Sequence, residues 1–108
     1  MARYLVQASY NRQGISALVN NPQDRAAVIR QLVEGIGGRL ETFDYAFGDY
    51  DVVTIVELPD NATMAALSMA VGAGGAVRDF KTTVLLSMSE AVEAMRKANS
   101  LEYRPPGG

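Results

Sequence analysis

The 108-residue chain has no cysteine and no histidine. The first absence excludes disulfides and thiol nucleophiles, and the two together exclude zinc or haem ligation by the usual side chains. Without histidine the commonest general base near neutral pH is also missing. Any chemistry must then rest on carboxylates, Tyr, Lys, Ser or Thr, or on a bound cofactor, and none is expected. Basic clusters are absent too: 10 Lys and Arg are interleaved with 12 Asp and Glu, for a net charge of −2. Nothing there would neutralise a phosphate backbone, so nucleic-acid binding is not expected. Long apolar runs are lacking as well. Ala62 to Val77 carries no charge but is rich in Gly and Ala, and it is shorter than the ~20 residues of a membrane span. The opening "MARYLVQASY" lacks the apolar core of a signal peptide. The expectation is a cytoplasmic protein with no membrane contact.

What is present fits one small globular domain, 48% apolar and 20% charged. A chain this short buries only a modest core, which oligomerisation would supplement. Residues 1–99 read as the domain and residues 100–108, ending Pro105-Pro106-Gly107-Gly108, as a flexible tail.

Arg3 to Tyr10 alternates as a strand does, with Tyr4, Val6, Ala8 and Tyr10 on one side. Gly14 to Val19 reads as a short helix. Asn20-Asn21-Pro22 is then a helix-start signal, with Asn21 as N-cap and Pro22 at the first helical position. Ala26, Ile29, Val33 and Ile36 form its apolar stripe, with Arg25, Arg30 and Glu34 off it, and Gly37-Gly38 ends it. Arg39 to Phe47 and Asp51 to Leu58 read as two strands separated only by Gly48-Asp49-Tyr50, hence an antiparallel hairpin. Pro59-Asp60-Asn61 caps a second main helix with Met64, Leu67 and Val71 inward, which ends at Gly72 to Gly75. Val77 to Leu86 is a fourth strand, and Ser89-Glu90 starts a last helix to about Ala98.

The order β-α-β-β-α-β predicts an α+β, ferredoxin-like antiparallel sheet with both helices on one face and an extra C-terminal helix. The opposite face must meet water, a ligand or another chain. Leu5, apolar residues of the second and third strands, and Phe80, Val84 and Leu86 are too many for two short helices to cover. An apolar face of that size is an interaction site. The simplest occupant is a second copy packed sheet on sheet, closing a barrel with a shared cavity. The second main helix, "ATMAALSMAVGAGG", is apolar nearly all round. It is either packed by small residues within the monomer or engaged in a second oligomer contact.

The sharpest local feature is "FGDYDVV", residues 47–53. Asp and Gly are turn residues, because Asp bonds nearby backbone N–H groups and Gly tolerates positive φ. The corner therefore reads first as a hairpin device. Asp49 and Asp51 are two apart and Tyr50 points the other way; without a third acid or a His they make no metal site. The candidates for a small-organic-ligand site are Tyr10, Tyr45, Asp49, Tyr50, Asp51 and Arg78; no catalytic residue is identified. Glu57 shares Asp51's strand parity, with edge solvation as its simplest role.

Gly48-Asp49-Tyr50-Asp51 between two strands, followed by Val56-Glu57-Leu58-Pro59-Asp60, resembles the GYD domain family. So do Tyr10, Gly14-Ile15, Pro22, Arg25 and Gly37-Gly38, and the likeness spans roughly Tyr4 to Glu90. One departure is Asp79-Phe80-Lys81, which intervenes before the Thr82-Thr83 pair. The resemblance implies a domain of the dimeric α/β barrel superfamily with no established biochemical role. The hairpin is also similar, from Tyr45 to about Leu86, to the effector-binding domain of Lrp/AsnC regulators, which binds amino acids between subunits. The functional expectation is a non-catalytic homodimer or larger homo-oligomer that binds a small molecule or a partner. The alternatives are a cofactor-independent enzyme acting in the barrel cavity and a stand-alone amino-acid effector-binding domain.

Overall fold

In the computed structural model, which describes residues 1–107, the alternating segments form one antiparallel sheet. The elements are β1 (Ala2–Tyr10), α1 (Arg12–Asn20), α2 (Arg25–Gly35), β2 (Arg39–Tyr45), β3 (Val52–Leu58), α3 (Asn61–Ala73), β4 (Val77–Leu85) and α4 (Met88–Asn99). The strand order is β2-β3-β1-β4, the arrangement of a ferredoxin-like α+β fold with an added C-terminal helix.

One face of the sheet carries the core. The register places Tyr4 opposite Val56, Ala2 opposite Leu58 and Leu40 opposite Val56. These side chains pack with Val6, with Val33 of α2, and with Met64 and Leu67 of α3. Both main helices thus lie over the same face. Each fully buried side chain of this size contributes about 1.5–3 kcal/mol of hydrophobic stabilisation. The one hydroxyl in the cluster is satisfied: Tyr4 Oη donates to Asn61 Oδ1 at 2.6 Å.

The opposite face is read from the same registers. Arg3, Leu5 and Gln7 of β1 lie beside Glu57, Ile55 and Val53 of β3 and Leu85, Thr83 and Lys81 of β4. Phe43 and Tyr45 pair with Thr54 and Val52, and Val84 and Phe80 with Tyr4 and Ala8, so all four lie on the helix-covered side. The uncovered face is therefore less apolar than the sequence suggests, with Leu5, Val53, Ile55 and Leu85 as its aliphatic residues. One end carries ion pairs: Arg3–Glu41 at 3.0 Å, Arg39–Glu41 at 3.5 Å and Arg39–Glu57 at 2.8 Å. Glu57 is thus paired to Arg39 rather than merely solvated.

Three boundaries differ from the sequence reading. Asn21 does not start α2; it ends α1, its N–H bonding Ala17 O, and Asp24 caps α2 by accepting from Ala27 N. Pro22 lies outside both helices. The β2–β3 connection is longer than Gly48-Asp49-Tyr50, because β2 ends at Tyr45 and β3 begins at Val52. Finally, α4 begins at Met88, on a Ser87–Glu90 capping box.

On α3 only Met64 and Leu67 are buried, and Met69 is exposed. Small-residue packing within the monomer therefore does not cover its outer side. No residue of α4 is buried. The Cα radius of gyration is 17.5 Å and the extents are 58 × 34 × 23 Å. A compact domain of this length has a radius near ~13 Å, so the chain is markedly elongated. Among the described residues no helix is long and apolar enough to cross a membrane.

Candidate functional site

Beneath the helices lies a cavity of about 330 Å³, walled by β1 and β3 side chains below and by α2 and α3 above. Val6, Val52, Val56, Ile29, Leu67 and Val71 are among its apolar walls, and Tyr10, Arg25 and Thr54 are its polar side chains. The Thr54 hydroxyl is already spent on the Thr42 carbonyl. That leaves Tyr10 and Arg25 as the groups able to address an occupant. Tyr10 stands at the end of an aromatic row: its ring centroid is 6.5 Å from that of Tyr45, which meets Phe43 edge-on at 5.9 Å. Burial first, and then its contact with Tyr45, holds the Tyr10 phenol well above its ordinary range, so it stays neutral and keeps its proton.

The six expected site residues do not form one site. Tyr10 lines the cavity and the Tyr45 ring lies tilted beside it. Asp49 and Tyr50 line a separate shallow depression with Gln7, Val53 and Lys81, residues of the uncovered face. Asp51 and Arg78 are tied to the Tyr10 backbone. Asp51 Oδ2 accepts from Tyr10 N at 3.0 Å, and Arg78 Nε donates to Tyr10 O at 3.3 Å.

The corner is held to the end of β1 and closed on itself by a set of hydrogen bonds. Besides the Asp51 carboxylate, Asp51 N donates to Ala8 O at 2.9 Å, Ala46 N to Asp51 O at 2.8 Å, and Ser9 Oγ to Asp49 O at 3.3 Å. Asp51 thus acts as a fastener between the hairpin and β1, and Ser9, buried on that strand end, is part of the same joint. Among the described residues no group of three or more carboxylates comes together as a metal site.

Arg25 is the residue that sequence reasoning missed. The stripe of Ala26, Ile29, Val33 and Ile36 leaves it on the polar side of α2, yet it lines the cavity together with Ile29. Its spacing of i, i+4 to Ile29 and i, i+8 to Val33 is the signal that would have placed it there.

These features define a ferredoxin-like α+β domain with an apolar cavity under its helices and one sheet face left open. Residues 4–95 match the GYD domain family model, and the chain belongs to the GYD domain family. It is also similar to a protein of Thermus thermophilus named the glutamine synthetase and cystathionine beta-lyase binding protein. The two are 30% identical over 78 residues, which cover 72% of this chain and 82% of that relative.

Proposed function

We propose that this GYD domain is a non-catalytic, homo-oligomeric module that binds a partner protein through surfaces the single chain leaves uncovered. The observation that carries the reading is α4. Its Met88, Val92 and Met95 recur at i, i+4 and i+7, one helix face, and all are exposed, Met95 at 66% and Met88 at 78%. An isolated helix of this length is marginal in water, so a helix with a built capping box and an open apolar face needs a covering surface. A second copy supplies it, with the open sheet faces carrying Leu5, Val53 and Ile55 packed against each other. In this reading Asp49, Tyr50 and Lys81 belong to the subunit contact rather than to a ligand pocket.

The partner class follows from two further supports. Phe47, at the corner, is fully exposed, and an aromatic projecting from a turn suits an anchor on another protein. The relative is named for binding two enzymes, which makes an enzyme the first partner to test. A non-catalytic role is supported by the cavity wall, where Tyr10 is held neutral and is a poor base.

Calorimetric titration against glutamine synthetase and cystathionine beta-lyase from the same source tests the partner. Binding to at least one, weakened about tenfold or more by Phe47→Ser, is expected of a buried aromatic anchor. Binding to neither enzyme overturns the partner assignment.

A further inference from the structure

The cavity beneath α2 and α3 carries a second inference, independent of the partner reading. Its walls are almost wholly aliphatic and aromatic, yet half-buried Arg25 is among the residues that line it. The positive charge of Arg25 has no counter-ion: among the described residues no carboxylate forms an ion pair with it. Its one hydrogen bond among the described residues runs from Nη1 to the neutral Gln23 Oε1 at 3.1 Å. Asp24, the nearest acid in sequence, is engaged in capping Ala27 N, and Asp51 is engaged with Tyr10 N. Arg25 is also the first residue of α2, where the helix dipole disfavours a cation and favours an anion. A volume of about 330 Å³ sits at the small end of the range for ligand pockets.

We propose that this cavity binds a small organic monocarboxylate with an aryl or branched-alkyl body. The body lies against Val6, Val56, Leu67 and Val71, and the carboxylate pairs with Arg25 at the edge. Guanidinium and carboxylate match in a two-point fork, which gives such a site its preference for acids over amines or amides. Tyr10, on the β1 floor of the same cavity, offers its protonated hydroxyl as a second donor. No bond is made or broken; the step is binding alone.

The test uses the full-length protein and three probe acids: phenylacetate, indole-3-acetate and 4-methylpentanoate. Phenylacetamide and benzylamine serve as neutral and cationic matches. Calorimetry and thermal shift at millimolar ligand are expected to show saturable binding of at least one acid. The amide and the amine bind about tenfold or more weaker, the loss that goes with removing a charge-assisted hydrogen bond. Arg25→Gln, a change at the domain edge, is expected to bring the acid down to the level of its amide while Arg25→Lys keeps part of the preference. Val71→Phe, which fills the cavity, is expected to abolish binding of acid and amide alike. The solution mass of Arg25→Gln should equal that of the parent protein, which separates this site from the oligomer contact. Failure of all three acids to bind overturns the proposal. So does equal affinity for phenylacetate and phenylacetamide, or an acid affinity unchanged by Arg25→Gln.

Discussion

Replacing Asp51 by Ala tests whether the acidic corner is a fastener. The Asp51 carboxylate accepts one backbone hydrogen bond, from Tyr10 N at 3.0 Å, at a half-buried strand end. A hydrogen bond of this kind contributes about 0.5–1.5 kcal/mol net, and leaving the donor unpaired raises the loss to about 1–3 kcal/mol. The donor is not fully buried, so water recovers part of that loss and about 1–2 kcal/mol is the expected value. The backbone bonds Asp51 N to Ala8 O and Ala46 N to Asp51 O remain, so the hairpin persists and the loss is not larger. In thermal unfolding this is a drop of about 4–8 °C per kcal/mol for a domain of this size. Asp51→Asn keeps an acceptor oxygen in the same place and should lose less than half as much. Urea denaturation of the three proteins, with unchanged m-values, gives the comparison. If Asp51→Ala unfolds within about 0.5 kcal/mol of the parent, the range typical of surface substitutions, the carboxylate is no fastener. If Asn costs as much as Ala, the charge rather than the acceptor is what the protein uses.

Two other outcomes follow from particular contacts. A Cβ at Gly38 would run into the Glu57 carbonyl oxygen and Leu58 Cδ2, whereas at Gly72, inside α3, it would meet nothing. Gly38→Ala should therefore destabilise by about 1–3 kcal/mol, and Gly72→Ala should stabilise by about 0.5–1 kcal/mol, as read by thermal unfolding. Hydrogen bonds from the Thr63 side chain and backbone hold the Asp60 carboxyl below its ordinary 3.8, and the Ser87 backbone and hydroxyl hold Glu90 below its ordinary 4.5. Depressed carboxyls stabilise the fold above their unfolded values and lose that contribution as pH falls through the folded ones. Stability should thus be flat from neutral pH to about 5 and decline below about 4.5. The decline should be shallower in Asp60→Asn, and a stability that rises on acidification would contradict the cap assignments.

Much of the fold is legible because its signals are local. The alternation of Tyr4, Val6 and Ala8, the cap at Asp60 and the Gly37-Gly38 stop each act within a few residues of chain. The errors come where two local signals compete. Asn20-Asn21-Pro22 serves as the end of α1, and Asp24, three residues before Ala27, is the better-placed cap for α2. The aromatics of β2 are harder to place, because the register shift between Leu40 and Thr42 puts Phe43 and Tyr45 on the covered side. A bulge of one residue exchanges faces, and nothing in "RLETFDY" announces it. The corner is legible as a turn device, though its partner, the Tyr10 N–H, is 41 residues away and cannot be found by spacing. The candidate cavity is least legible. It is made by α2 and α3 standing off the sheet, and its charged residue, Arg25, reads as surface when only the stripe is counted.

In the proposed assembly a second copy covers the open sheet face and the α4 stripe. Light scattering during size-exclusion chromatography at micromolar concentration tests it most directly. The chain mass is 11.6 kDa, and the expected result is at least twice that. The double change Val92→Glu and Met95→Glu should shift the mass toward the monomer with the far-ultraviolet spectrum retained. A parent protein that elutes at 11.6 kDa contradicts this assembly.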